Sequence, residues 1–173
     1  KKNGSTGNTH DYDKIIVKDY IRNFINFDNF SDREKKIPMI NWDIDTDNFT
    51  NKVNISKSSE IIYGLRNFVG NANKFSKKKI DILIENEKNN TIIKIIDDGN
   101  GFPKNLIKSE KLGEPYIRTF DTVNNSKQGL GLGTFIGKTL LEKNYAIVKF
   151  KNLKELGGAE VKIEWKNSDL KKI

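Results

Sequence analysis

Three short stretches of this sequence combine residue types that contribute little to a core and could contribute much to a ligand site. In the first, Asn67, Asn71 and Lys74 recur with Glu60 at helical spacing, forming a narrow polar stripe, while Leu65, Phe68, Val69 and Ala72 face the opposite side. A solvated helix face would produce the same stripe. Asn is nevertheless a mediocre helix former, and a surface face in so Lys-rich a chain would more naturally carry Lys and Glu. Two neutral amides one turn apart suit a hydrated Mg²⁺, which takes oxygen ligands and keeps several waters. In the second stretch, Asp97-Asp98-Gly99-Asn100-Gly101 follows the most continuous apolar run. Glycines two apart permit positive φ or close approach of another group to the backbone. A carboxylate at a strand end can accept from an exocyclic amine such as adenine's; a tight turn capped by aspartates is the alternative. In the third, Gln128, Gly129, Leu130, Gly131, Leu132 and Gly133 open a predicted helix. Free N–H groups and a positive dipole end make such a terminus a ready phosphate site, and a flexible hinge would use the same glycines.

Three look-alikes fail on context. Gly129, Gly131 and Gly133 follow a loop instead of a strand, so a dinucleotide-binding fingerprint lacks its setting. Residues 133–139 mimic a Walker A loop, but three residues separate Gly133 from Gly137 where that motif has four, and the run lies inside a helix. Asp43, Asp45 and Asp47 imitate the start of an EF-hand loop, yet Asn48 stands where Gly is required and Asn54 where Glu is required. An acidic strand end and loop is the better reading.

Elements must hold these residues in place. Ile15, Ile16, Tyr20, Ile21, Phe24, Ile25 and Phe27 predict an amphipathic helix over 12–30, after a polar lead-in over 1–11. Strands are predicted at 37–44 and 53–55. Ser58 is placed to cap a helix that runs to residue 75, with Glu60 in its first turn. A hairpin follows, with 80–84 and 91–96 joined across 87–90, the second strand being central. Residues 102–128, with Pro103, Gly113, Pro115 and Asn124-Asn125, read as irregular and are too long for an ordinary connection, which marks a functional lid or a disordered segment. A helix over 130–143 and a hairpin of 146–150 with 160–165 across Gly157-Gly158 complete the pattern, with no internal repeat. The sum is an α+β fold, a mixed and mostly antiparallel sheet with helices on one face.

At 173 residues the chain allows one compact domain with a short appendage. Its 31 Lys and Arg against 23 Asp and Glu give a net charge of +8. That charge suits nucleic acid, anionic lipid or a nucleotide polyphosphate, and it also follows from Lys, Asn and Ile displacing Arg, Gln and Val, as codon bias in an AT-rich genome would do. The absence of cysteine excludes disulfides, thiolate metal sites and Cys nucleophiles. No apolar run approaches the roughly 18 residues of a membrane span, and no signal-peptide pattern opens the chain. A start at Lys1 instead of Met leads us to expect a segment of something longer. A basic nucleic-acid-binding module, suggested by the charge and by Lys77-Lys78-Lys79, would bind DNA more tightly than nucleotide and in a salt-dependent way.

An amide helix, a strand-end Asp-x-Gly-x-Gly, a long loop and a Gly-x-Gly-x-Gly helix opening, in this order, resemble the N, G1 and G2 boxes of the Bergerat-fold ATPases. That superfamily includes sensor histidine kinases, type II topoisomerases, the large heat-shock chaperone and mismatch-repair ATPases. The resemblance covers about residues 36–166, and Asn67-Phe-Val-Gly-Asn71-Ala-Asn-Lys74-Phe75 looks like a histidine-kinase N box. Ile62-Tyr63-Gly64-Leu65-Arg66-Asn67, Leu112-Gly113-Glu114-Pro115-Tyr116 and Gly137-Lys138-Thr139-Leu140-Leu141-Glu142 are similar to the RegB/PrrB redox-responsive subfamily. Gly70, where an acidic or polar residue is common, and Asn73 depart from the pattern.

The resemblance implies a Bergerat-type α/β sandwich with a long ATP lid, and ATP and Mg²⁺ as cofactors. By family precedent Asn71 is the Mg²⁺ ligand with Asn67 beside it, and Lys74 contacts a phosphate. Phe75 lies near the nucleotide, Asp97 reads adenine with Gly99 and Gly101 following it, and Gln128 lies near the terminal phosphates. The amides from Gly129 through Leu130, Gly131 and Leu132 to Gly133 cradle the phosphates, with Arg118 and Lys127 as lid candidates. Hydrolytic relatives carry a general-base Glu where this chain has Asn67, which cannot take a proton; slow hydrolysis and transfer to a separate nucleophile are the expectation, with a hydrolytic module or an anti-sigma-type serine kinase as the alternative. The single histidine, His10, lies in the polar lead-in, so the phosphoacceptor is expected elsewhere. The implied organisation is a linker and helix from a dimerisation region over 1–35, the catalytic domain over 36–167 and a tail over 168–173. Implied partners are a dimerisation and phosphoacceptor domain and a response-regulator receiver domain, with no nucleic acid. The full-length protein is expected as a homodimer anchored in the bacterial inner membrane, with this domain in the cytoplasm.

Overall fold

Isoleucines at 80, 82 and 84 alternate with Asp81, Leu83 and Glu85, the period of a strand with one buried face, and all three are fully buried in the computed structural model. The structure describes residues 14–16, 39–44, 54–56, 58–87, 89–115, 132–153, 157–170 and 172–173. A two-stranded ribbon pairs β1 (Lys14–Ile16) with β3 (Asn54–Ser56) in antiparallel fashion. The main sheet runs β2 (Met39–Ile44), β4 (Lys79–Asn86), β5 (Asn90–Asp97), β7 (Ala159–Lys166), β6 (Ile147–Asn152) in space. β2 joins β4 in parallel, and the other neighbours are antiparallel.

Register stacks the core. Ile82 faces Ile95 and Ile84 faces Ile93, which pair onward with Val161 and Ile163, and Val148 closes the row. Onto this face pack α1 (Ser59–Phe75), through Ile61, Leu65, Phe68, Val69 and Ala72, and α3 (Leu132–Lys143), through Leu141. Each fully buried Ile or Leu side chain contributes about 1.5–3 kcal/mol relative to exposure. The reverse face is charged, with Lys94 bound to Glu85 at 2.5 Å and Lys162 to Glu164 at 2.9 Å. Such surface pairs add little stability.

The caps follow the sequence. Ser58 Oγ accepts from the Ile61 amide at 3.3 Å, and Glu60 accepts from the Asn144 side-chain amide at 2.7 Å. The Asn144 carbonyl in turn accepts from Trp165 Nε1 at 2.9 Å, so one buried residue ties the start of α1, the end of α3 and the sheet.

Three expectations change. The helix expected over 12–30 does not hold at its start, where Lys14–Ile16 is strand; the adjacent β-branched Ile15 and Ile16 fit a ladder with β3, and that pairing overrides the helical spacing. The rest of that span lies outside the described residues. The segment expected to be irregular from 102 holds a short helix, α2 (Lys104–Lys108), whose Leu106 is buried. Pro103 is its N-cap, and the carbonyl there accepts from the Leu106 and Ile107 amides at 3.0 and 3.2 Å. Finally, within the segment set apart as a tail, α4 (Asn167–Leu170) places Leu170 at 1% exposure in the core.

Helices α1 and α3 touch through glycines. A Cβ at Gly64 would stand 2.6 Å from Leu141 Cγ, whereas nothing lies within 4 Å of one at Gly70. Gly64→Ala is therefore expected to destabilise the fold by overpacking, typically about 1–3 kcal/mol, offset in part by the helix propensity of Ala. Gly70→Ala is expected to stabilise it by about 0.5–1 kcal/mol. Urea unfolding of the two variants checks the opposite signs.

Candidate functional site

The polar stripe of α1 turns toward the start of α3. Asn67 Nδ2 donates to the Tyr63 carbonyl one turn back at 2.8 Å, and Asn71 Nδ2 donates across to Thr134 Oγ1 at 3.2 Å. With both amide nitrogens engaged, each amide's oxygen is left for another partner. A Cβ at Gly133 would stand 3.3 Å from Asn67 Oδ1 and 3.7 and 3.8 Å from Asn71 Oδ1 and Nδ2, so glycine there keeps open a space that the Asn67 oxygen faces and the Asn71 amide borders edge-on. Leu132, the first residue of α3, is partly buried beside it. Hard cations such as Mg²⁺ take one or two protein oxygens and otherwise water or phosphate; two neutral amide oxygens beside a glycine fit that donor set.

At the C-terminal end of α1, Lys74 Nζ lies 5.3 Å from the centroid of the Phe75 ring, which is 54% exposed. The loop after β5 passes directly beneath. A Cβ at Gly99 would overlap the Phe75 carbonyl oxygen, so only glycine lets the two backbones meet. Gly101 has φ +79°, and Asn152 clamps the next residue by accepting from the Phe102 amide at 2.7 Å and donating to its carbonyl at 2.8 Å.

Asp97 is 9% exposed, and its Oδ1 accepts from the Gly99 amide at 2.8 Å. Burial pushes this carboxyl above the usual carboxylate range; the Gly99 and Ala159 amides pull it back in part, and the Asp98 charge adds to the rise. A carboxylate offers about four acceptor sites, so those amides leave capacity for a ligand donor. Asp98 behaves oppositely. Desolvation pushes it up, but the amides of Lys78, Lys77 and Lys79 outweigh that and hold it below the ordinary value. Its Oδ1 accepts from Lys77 and Lys78 at 2.8 and 3.1 Å, which fixes the turn between α1 and β4 against the end of β5.

The structure thus brings Asn67, Asn71 and Gly133 together, and Lys74, Phe75, Asp97, Gly99 and Gly101 around the neighbouring loop. Gln128, Gly129, Leu130 and Gly131, with Arg118 and Lys127, lie outside the described residues. Sequence reasoning missed Thr134, Asn152 and Gly158. Gly158 has φ +102° and packs so tightly on the Asp97 carbonyl that any Cβ would overlap it; its dipeptide with Gly157 signalled only a turn.

A family model described as histidine kinase-, DNA gyrase B- and HSP90-like ATPase matches residues 57–169. The sequence is 36% identical over 103 residues to the sensor histidine kinase RegB of Cereibacter sphaeroides, which covers 57% of this chain and 22% of that protein. The chain therefore spans less than a quarter of the length of that curated relative. In three dimensions it matches the catalytic domain of the histidine kinase ThkA with a TM-score of 0.68 at 20% identity, over 89% of this chain and 96% of that one. It also matches full-length ShkA in complex with AMPPNP with a TM-score of 0.56 at 22% identity, over 73% of this chain and 25% of that one. At such identities the structural likeness establishes the fold.

Proposed function

Because the chain belongs to the family of histidine kinase-, DNA gyrase B- and HSP90-like ATPases, we propose that it is the ATP-binding catalytic domain of a two-component sensor histidine kinase. The observation that carries this reading is the amide pair on α1, whose nitrogens are tied at 2.8 and 3.2 Å, leaving both oxygens for another partner beside the gap at Gly133. In this reading Asp97 accepts from the exocyclic amine of adenine, and Gly99 and Gly101 allow the loop its close approach. Phe75 borders the nucleotide, Lys74 contacts a phosphate, and the amides over 128–133 receive the phosphate oxygens. Mg²⁺, when bound, would be held by Asn71 with Asn67 beside it and would neutralise charge on the phosphoryl oxygens.

Asn67 has no basic atom with which to take a proton from water. Transfer to a positioned nucleophile is therefore favoured over hydrolysis: a histidine nitrogen forms a bond to the γ-phosphorus, the bond to the bridging oxygen breaks, and ADP leaves. His10 is the single histidine of the chain and sits in a polar run, so the acceptor is assigned to a dimerisation helix outside this chain. The same reading takes residues 1–35 as the connection to that region, 36–167 as the catalytic domain, a response-regulator receiver domain as the next acceptor, and a homodimer anchored in the bacterial inner membrane as the whole protein. The length of RegB beyond the matched 22% leaves room for those parts.

Calorimetric titration of this chain with a non-hydrolysable ATP analogue, with and without Mg²⁺, tests the reading. Binding that Mg²⁺ strengthens is the expected result. No binding at millimolar nucleotide, or salt-sensitive DNA binding tighter than nucleotide binding, would overturn it.

A further inference from the structure

An asparagine amide presents oxygen and nitrogen at nearly the same places, and its last torsion is broad and roughly two-fold. Only the oxygen can ligate a cation, so a ligating asparagine needs a hydrogen bond that holds its nitrogen away. Asn67 has that bond within its own helix, to the Tyr63 carbonyl at 2.8 Å. Asn71 does not follow the pattern of one turn back to residue 67. Its Nδ2 reaches out of α1 to Thr134 Oγ1 on α3 at 3.2 Å, between residues 63 positions apart in sequence. Thr134 follows Gly133, the residue whose missing side chain leaves space beside both amide oxygens.

We propose that Thr134 is a positioning residue for the cation: its hydroxyl accepts from Asn71 Nδ2 and so keeps Asn71 Oδ1 turned to the metal. The proposal rests on the reading of Asn71 as the Mg²⁺ ligand. A hydroxyl offers two acceptor lone pairs beside its one donor, so Thr134 can accept from Asn71 and still donate elsewhere. It also couples the metal ligand to the first turn of α3, so displacement of α3 would release the amide to rotate.

Nucleotide binding is read calorimetrically with AMPPNP, with and without Mg²⁺, and cation binding separately by the paramagnetic resonance of Mn²⁺ added with AMPPNP. Thr134→Val is nearly isosteric and removes the hydroxyl; it is expected to lower Mn²⁺ affinity about tenfold, the lower end for loss of a group that orients a metal ligand, while Mg²⁺-free AMPPNP affinity is unchanged. Thr134→Ser is expected to keep both. In an Asn71→Ala background, Thr134→Val should lower Mn²⁺ affinity no further, because the amide it orients is gone. Unchanged cation affinity in Thr134→Val, equal losses with and without the cation, or a loss in Thr134→Ser as large as in Thr134→Val each overturns the proposal. Wild-type chain that binds neither AMPPNP nor Mn²⁺ would instead remove the underlying domain reading.

Discussion

Asp97→Asn is expected to weaken binding of an ATP analogue about ten- to hundredfold at neutral pH, and to flatten its pH dependence. The carboxylate is 9% exposed at the end of β5. A hydrogen bond to a charged acceptor contributes about 1.5–3 kcal/mol, and a change of 1.36 kcal/mol is a factor of ten. Asparagine keeps one oxygen, which can still serve the Gly99 amide now bound at 2.8 Å, but its NH₂ group opposes an amine donor where the second carboxylate oxygen accepted. The pH profile follows from burial, which raises the Asp97 carboxyl above the ordinary range. The ionised form is the better acceptor for an amine, so wild-type affinity should fall as pH drops through that raised value, earlier than an ordinary carboxylate would allow. Titrations of wild type and variant across mildly acidic pH check both statements; a variant with wild-type affinity and profile would assign adenine recognition elsewhere.

Linkage gives the same residue a second signature. A carboxyl with a raised native pKa binds protons more readily folded than unfolded, so its charge opposes folding at neutral pH and that penalty is relieved as pH falls. Asp98, held low by the Lys77 and Lys78 amides, contributes stability above its unfolded pKa and loses it as pH falls through the folded value. Adjacent aspartates thus divide their tasks: Asp98 closes the turn, and Asp97 retains a carboxylate at a cost to the fold.

What could be read from the sequence was what repeats locally. The stripe of Asn67, Asn71 and Lys74 and the alternation of Ile80, Ile82 and Ile84 are set by helix and strand periods, so residue order alone exposes them. Gly99, Gly101 and Gly133 were legible because glycine at close spacing has few purposes beyond backbone freedom and close approach. The clamp of Asn152 on Phe102 and the bond of Thr134 to Asn71 join residues 50 and 63 positions apart. No local period encodes either. Polar residues such as these look like surface until the fold supplies their partner. Gly158 is a related case: as a turn residue it is ordinary, and only the antiparallel return of β7 along β5 brings it against Asp97. The strand at Lys14–Ile16 was misread because adjacent isoleucines satisfy helical spacing as well as a ladder, and a long-range partner, β3, decided between them.

Asn71→Ala is expected to reduce phosphoryl transfer to a supplied phosphoacceptor region by about 10²–10³-fold, the range for removing one preorganised group that stabilises transition-state charge, and to abolish the Mg²⁺-dependent part of nucleotide binding. Its amide is the one held from the far helix, through the 3.2 Å bond of its nitrogen to Thr134, and truncation leaves only the Asn67 oxygen of α1 beside the Gly133 gap. In the proposed reading adenine is recognised by Asp97 at the end of β5, whose Oδ1 is held by the Gly99 amide and not by Asn71, so Mg²⁺-free affinity should stay close to wild type. Asn67→Ala separates the roles. Having no proton-accepting atom, Asn67 cannot act as a base on water, so Asn67→Ala is expected to lower the slow turnover no more than it lowers Mg²⁺-dependent nucleotide binding. Single-turnover transfer from labelled ATP, measured beside hydrolysis for wild type and both variants, reads the difference directly: slow wild-type hydrolysis with transfer lost in Asn71→Ala identifies a site that positions a phosphoryl group for an incoming nucleophile, whereas wild-type hydrolysis faster than transfer, and lost in Asn67→Ala beyond its loss of Mg²⁺-dependent binding, would place the chain with the hydrolytic branch of its family.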